Sequence, residues 1–123
     1  MMIPAWTLVF LGGGAGALAR YGMGQLIRSN SFPYATLSVN LLGSLIIGLL
    51  MASSMGSDER WRLLLMTGLL GGFTTFSSFS LETWQLFERG AYGPAFVYAL
   101  GSLILGLVMV AVGLVLGRAI LGQ

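Results

Sequence analysis

The six basic and four acidic side chains of this 123-residue chain sit in clumps that leave four long uncharged stretches, 3–19, 29–57, 63–81 and 90–117. Each, with its flanks, is long enough for the roughly 20 residues a helix needs to cross a hydrocarbon core. The chain is 56% hydrophobic and 8% charged, whereas a soluble domain carries about a quarter charged residues. The stretches use nearly the whole chain and leave no room for a soluble domain. The predicted fold is an all-α membrane protein, one integral domain over 1–123, with four transmembrane helices near 5–28, 33–54, 60–87 and 92–121.

Turn signals separate the spans. Pro33 stands at a helix-starting position after Asn30, Ser31 and Phe32, and Ser57 or Asp58 is placed to cap the third span. Gly90 follows Glu88 and Arg89, and Gly93-Pro94 opens the fourth span. The first apolar segment lacks a basic region ahead of it, and Gly12 to Gly16 followed by Arg20 reads as a packed span kept in the mature protein, not a signal peptide. There is no His and no Cys, and the formal charge is +2. That excludes thiolate and imidazole chemistry, and so small and scattered a charge makes no nucleic-acid surface.

With four spans, Arg60, Arg62 and Arg118 fall on one side of the membrane and Arg28 and Arg89 on the other, joined by Arg20 if it snorkels that way. The positive-inside bias is close to zero. A small protein without such a bias can insert both ways and pair as an antiparallel homodimer. Gly12 with Gly16, Gly13 with Ala17, and Gly113 with Gly117 are small-residue pairs that let helix backbones approach in a bundle or a dimer.

Polar residues occur where lipid should be. Thr36, Asn40 and Ser44, four apart, share one face of the second span. Asn40 is either interhelical glue or a donor on a permeation path. In the third span, Gly71, Gly72, Thr74 and Thr75 are poor helix formers, so a break is expected over 71–75. Backbone freed inside a bilayer must be buried by protein or line an aqueous or ionic site. Phe76 and Phe79 follow, three apart, among the hydroxyls of Thr75, Ser77, Ser78 and Ser80. Ring edges are positive, so with hydroxyl and amide donors they can form an anion path without a fixed charge. Carbonyls freed at the break suit a cation such as sodium. Arg20 reads as a snorkelling or ion-paired residue ahead of a direct ion contact. Glu82 faces a vestibule or pairs with an Arg. Tyr98 and Ser102, four apart, add a short polar stripe to the fourth span.

Three motifs in order, Gly12-Gly13-Gly14-Ala15-Gly16-Ala17-Leu18-Ala19-Arg20-Tyr21, Thr36-Leu37-Ser38-Val39-Asn40-Leu41-Leu42-Gly43-Ser44 and Gly71-Gly72-Phe73-Thr74-Thr75-Phe76-Ser77-Ser78-Phe79, resemble the CrcB/Fluc family of small fluoride channels. The resemblance covers essentially the whole chain. It implies an antiparallel, dual-topology homodimer in the cytoplasmic (inner) membrane, with two pores that export fluoride passively. It also implies a structural sodium ion at the dimer centre, held by the backbone carbonyls of Gly71 and Thr74. Asn40, Phe76 and Phe79 match the pore amide and phenylalanine pair, and Thr75 lies in the same motif. Tyr98 and Ser102 correspond to a polar track on the fourth span, and Arg20 matches the family's first-span arginine. Ser78 stands where many members have Thr, which keeps the hydroxyl; Ala35 stands where a glycine commonly precedes the threonine.

Two other classes share four spans. A proton-coupled small multidrug exporter needs a membrane-embedded carboxylate, yet Arg20 and Arg28 are the only charged residues in the first span, and Glu82 is the sole acid well inside any span. In a non-transporting membrane assembly subunit the polar residues would be glue. An enzyme is the least expected class, because without His or Cys no convincing nucleophile–base pair can be assembled.

Overall fold

The computed structural model describes residues 2–121, and among them every regular element is helical. Helix α1, Ala5–Leu26, opens on Pro4, whose carbonyl accepts the Thr7 and Leu8 N–H groups at 3.0 and 3.2 Å. Helix α2, Tyr34–Met51, follows Pro33, and a short 3₁₀ turn, Ser54–Ser57, leads to Asp58. The Asp58 carboxylate accepts the N–H groups of Arg60 and Trp61 at 2.9 and 3.3 Å, the N-cap expected from the sequence. Helix α3 covers 59–73 in three geometries: an α turn Glu59–Trp61, a π-helical stretch Arg62–Leu70 and a closing α turn Gly71–Phe73. Helix α4 is Phe76–Glu88 and helix α5 is Tyr92–Leu121, joined through Gly90, whose φ of 75° requires a residue without a Cβ.

Three helical segments, Tyr34–Met51, Glu59–Glu88 and Tyr92–Leu121, are long and apolar enough to cross a membrane. At 22 residues α1 spans about 33 Å at 1.5 Å per residue, but glycines and Arg20 dilute its apolar character. Trp6, Phe10, Leu18, Phe96, Leu103 and Leu107 all point outward. An exterior so apolar suits lipid and not water.

The helices pack in two backbone seams. In one, α2 meets α5 so closely that a Cβ on Gly48 would sit 3.0 Å from the Gly113 Cα. In the other, α1 meets α3: a Cβ on Gly12 would lie 3.0 Å from the Gly68 Cα, and one on Gly16 only 2.8 Å from the Phe73 nitrogen. Carbon contacts relax at about 3.5–4.0 Å, so no larger side chain fits at these positions. The small-residue pairs expected from the sequence thus act within one chain.

The structure narrows the expected break. Gly71 and Gly72 are helical, and only Thr74 (φ −84°, ψ 160°) and Thr75 (φ −151°, ψ 120°) are extended. Gly72 serves space: a Cβ there would meet the Ala17 nitrogen of α1 at 3.1 Å. Thr74 keeps its helical N–H bond to the Leu70 carbonyl, and Thr75 leaves the helix where Asn40 receives its backbone.

Candidate functional site

Two extended residues inside a helical run release backbone groups that need new partners, since a buried group left unpaired costs about 1–3 kcal/mol. The Thr75 N–H donates to Asn40 Oδ1 at 2.8 Å, and Asn40 Nδ2 donates to the Thr75 carbonyl at 3.2 Å. Only one orientation of the amide satisfies both groups. Thr75 Oγ1 accepts the Ser78 N–H at 3.1 Å and so N-caps α4. Thr74 sends both its N–H and its hydroxyl to the Leu70 carbonyl at 2.9 Å. The Gly71 carbonyl loses its helical donor, because the Thr75 N–H has gone to Asn40. Next to it, the Gly72 carbonyl accepts Arg20 Nε at 3.0 Å.

Beside this segment lies a cavity of about 450 Å³, whose lining includes Asn40, Ser44, Thr75, Phe76, Phe79 and Ser102. Gly71 and Thr74 border it as well. The Phe76 and Phe79 ring centroids are 5.9 Å apart with planes tilted by 43°. Phe79 is half-buried and touches Tyr98, centroids 5.1 Å apart, while Phe76 is 79% exposed. The Ser102 hydroxyl is buried without a hydrogen-bond partner in the chain. A polar atom so placed normally has one. The site therefore offers an amide, hydroxyls and ring edges, with no charged side chain in its lining. Among the described residues no cluster of His, Cys, Asp or Glu could hold a metal ion, so any cation here would depend on backbone oxygen.

The polar face of α2 divides its work along its length. Thr36 reaches Glu82, Asn40 holds Thr75 and Ser44 lines the cavity. Asn40 thus spends its carbonyl oxygen and one amide hydrogen on Thr75. Two residues have partners that the sequence did not name. Arg20 is tied to a backbone carbonyl, because the glycine seam brings the end of α3 within its reach. Glu82 is held by hydroxyls and not by an Arg: Thr36 Oγ1 donates to it at 3.0 Å and Tyr98 Oη at 3.1 Å. Tyr98 accordingly sits buried behind Phe79 and outside the cavity lining, and Ser78 also stands outside it, in the first turn of α4.

Sequence reasoning missed a second, smaller cavity of about 140 Å³, bordered by Ser29, Asn30, Phe32, Glu82 and Arg89. Arg89 closes it by donating to the Asn30 and Ser31 carbonyls at 3.0 and 3.1 Å. Its position at the C-terminal end of a helix, facing a turn rich in free carbonyls, was the available signal.

Residues 7–114 match the family profile described as CrcB-like protein, Camphor Resistance (CrcB). Over 122 residues the chain is 48% identical to a protein of Thermus thermophilus named fluoride-specific ion channel FluC, a match covering 95% of this chain and 98% of that protein. Proteins of the same name are 47% identical in Rhodopseudomonas palustris, over 94% of this chain and 98% of theirs, and 47% identical in Agrobacterium fabrum, over 91% and 94%. With the family profile and these relatives both running nearly end to end, the chain belongs to the CrcB family.

Proposed function

We propose that this chain forms a fluoride channel that lets the anion leave the cell passively through the cytoplasmic membrane. The observation that carries it is the cavity beside Thr74–Thr75, where Asn40, Thr75 and Ser102 present donors next to the tilted Phe76 and Phe79 rings. Such donors strip part of an ion's water without trapping it, and conduction needs binding that is favourable but not too tight. Ser102 supports this reading, since its buried hydroxyl lacks a partner in the chain. The relatives named fluoride-specific ion channel support the choice of anion. Ser78 and Tyr98 then act from behind the path, Ser78 at the start of α4 and Tyr98 by bracing Phe79 and Glu82.

The assembly is a dual-topology homodimer of four-span chains, each third span broken at the threonines, surrounded by lipid and enclosing two pores. The near-even arginine count on the two sides supports the antiparallel pairing. The exposed Phe76 ring supports a further surface closing over the cavity. A structural sodium ion fits the donor chemistry: Gly71 and Thr74 would hold it through carbonyl oxygens, one of which lost its helical donor when Thr75 turned to Asn40. The ion would supply positive charge that fastens two negative helix ends together. A proton-coupled exporter is disfavoured because Glu82 is held by two hydroxyls and does not line the larger cavity.

Liposomes loaded with potassium fluoride or potassium chloride, containing only this protein and given valinomycin so that potassium can follow, test the proposal with ion-selective electrodes. Fluoride is expected to leave far faster than from empty liposomes, with chloride retained. Fluoride release no faster than from empty liposomes would sink the channel reading.

A further inference from the structure

Helices α1 and α3 touch backbone to backbone at Gly12 and Gly16, and one turn further on the same face of α1 stands Arg20. Its side chain therefore leaves α1 where α3 ends. Arg20 Nε lies 3.0 Å from the Gly72 carbonyl oxygen in a half-buried setting, although the residues are 52 apart in sequence. In an uninterrupted helix that oxygen accepts the N–H four residues on, from Phe76. Here Phe76 opens α4 beyond two extended residues, and the oxygen is left over. Arg20 takes the place of the missing donor.

We infer that Arg20 is a positioning residue for the ion path: it holds the Gly72 carbonyl, so that α3 stops at Phe73 and α4 starts at Phe76 in a register of its own. What the path carries rests on the proposed function; the positioning itself rests on geometry. A cation suits this place, because the C-terminal end of a helix is its negative end. Hydrogen bonds from a charged donor are also the strong kind, and more so away from water. The other fastenings complete the arrangement, with Asn40 clamping Thr75 from α2 and Thr75 capping α4. Phe76 and Phe79 follow at once, so their angle depends on where α4 begins. Without Arg20 the Gly72 carbonyl is free to take back the Phe76 N–H, which turns α4 and both rings. Arg20 also withholds this carbonyl from a cation and leaves that task to Gly71 and Thr74.

Two readouts on Arg20→Met test this: fluoride efflux against fluoride concentration, and amide hydrogen exchange over residues 71–79. Positioning predicts that maximal efflux falls at least tenfold, that half-saturating fluoride stays within twofold, and that exchange over 71–79 changes at least fivefold. Unchanged exchange overturns the inference. So does an efflux deficit that more fluoride restores, since that is the mark of simple charge attraction. If Arg20→Met fails to assemble, Arg20→Lys, which keeps the charge but moves the donor, carries the same test. Altered exchange there supports positioning, and wild-type exchange overturns it. If the wild type itself passes no fluoride, the proposed function falls, and the exchange data alone decide the role of Arg20.

Discussion

Along α2 and α5, Gly48 and Gly113 bring two backbones together, and both helices pass the contact with their geometry intact. Along α1 and α3, Gly12 and Gly68 do the same, yet α3 is π-helical over Arg62–Leu70 and stops at Phe73. Close approach therefore does not by itself break a helix. The second seam differs in what lies at its end. Arg20 from α1 and Asn40 from α2 arrive there with donors and an acceptor for the backbone groups of Gly72 and Thr75. Along the first seam neither helix is interrupted, so no backbone is released. In the proposed channel, a packing device becomes the ion site where polar side chains meet it and where the freed backbone opens onto a cavity.

The largest expected effect comes from removing the clamp. Asn40→Ala deletes two hydrogen bonds to Thr75, each worth about 1 kcal/mol net and more where a buried group is left unpaired. Fluoride efflux should drop to the empty-liposome rate, and denaturation should show a loss of about 2–4 kcal/mol. Wild-type flux in a folded Asn40→Ala protein would erase the distinction between the two seams.

Next come the rings. Phe76→Ile or Phe79→Ile should cut efflux at least tenfold while gel filtration still shows the wild-type assembly. Full rates in both would demote the rings to packing.

The seams can then be compared directly. Gly16→Ala and Gly113→Ala each force a Cβ against neighbouring backbone, and each should lower stability by about 1–3 kcal/mol. Per folded protein, efflux should stay within twofold of wild type for Gly113→Ala and fall well below that for Gly16→Ala. Equal behaviour would mean that the break does not depend on its own seam.

Smallest is Ser102→Ala, which removes a buried hydroxyl that has no partner in the chain. Stability should hold or rise, because an unpaired buried polar group is itself unfavourable. Efflux should nonetheless fall severalfold. A loss of stability would show that the hydroxyl is engaged structurally.

Much of this was legible in the sequence for plain physical reasons. The uncharged stretches are set by the hydrocarbon, and Asp58 caps α3 because its carboxylate lies beside free N–H groups. Asn40 was found because an amide on an apolar face must have partners. What it clamps was not legible, since Thr75 is 35 residues away and only the fold brings them together. The break was placed over 71–75 because propensity counts glycine as a weak helix former, but Gly72 lies against α1 and stays helical. The π-helical geometry of Arg62–Leu70 left no trace in composition. The partners of Glu82 escaped for another reason: a carboxylate suggests an arginine, whereas two hydroxyls from α2 and α5 serve it here.

In the proposed channel the anion crosses alone, past hydroxyls, an amide and ring edges, so net fluoride movement is electrogenic. The most direct measurement is fluoride release from potassium-fluoride-loaded liposomes, with and without valinomycin to let potassium follow. A passive fluoride channel holds its fluoride after a brief charging step and releases it when valinomycin is added. Release that ignores valinomycin and follows an imposed proton gradient, or no release at all, would contradict it.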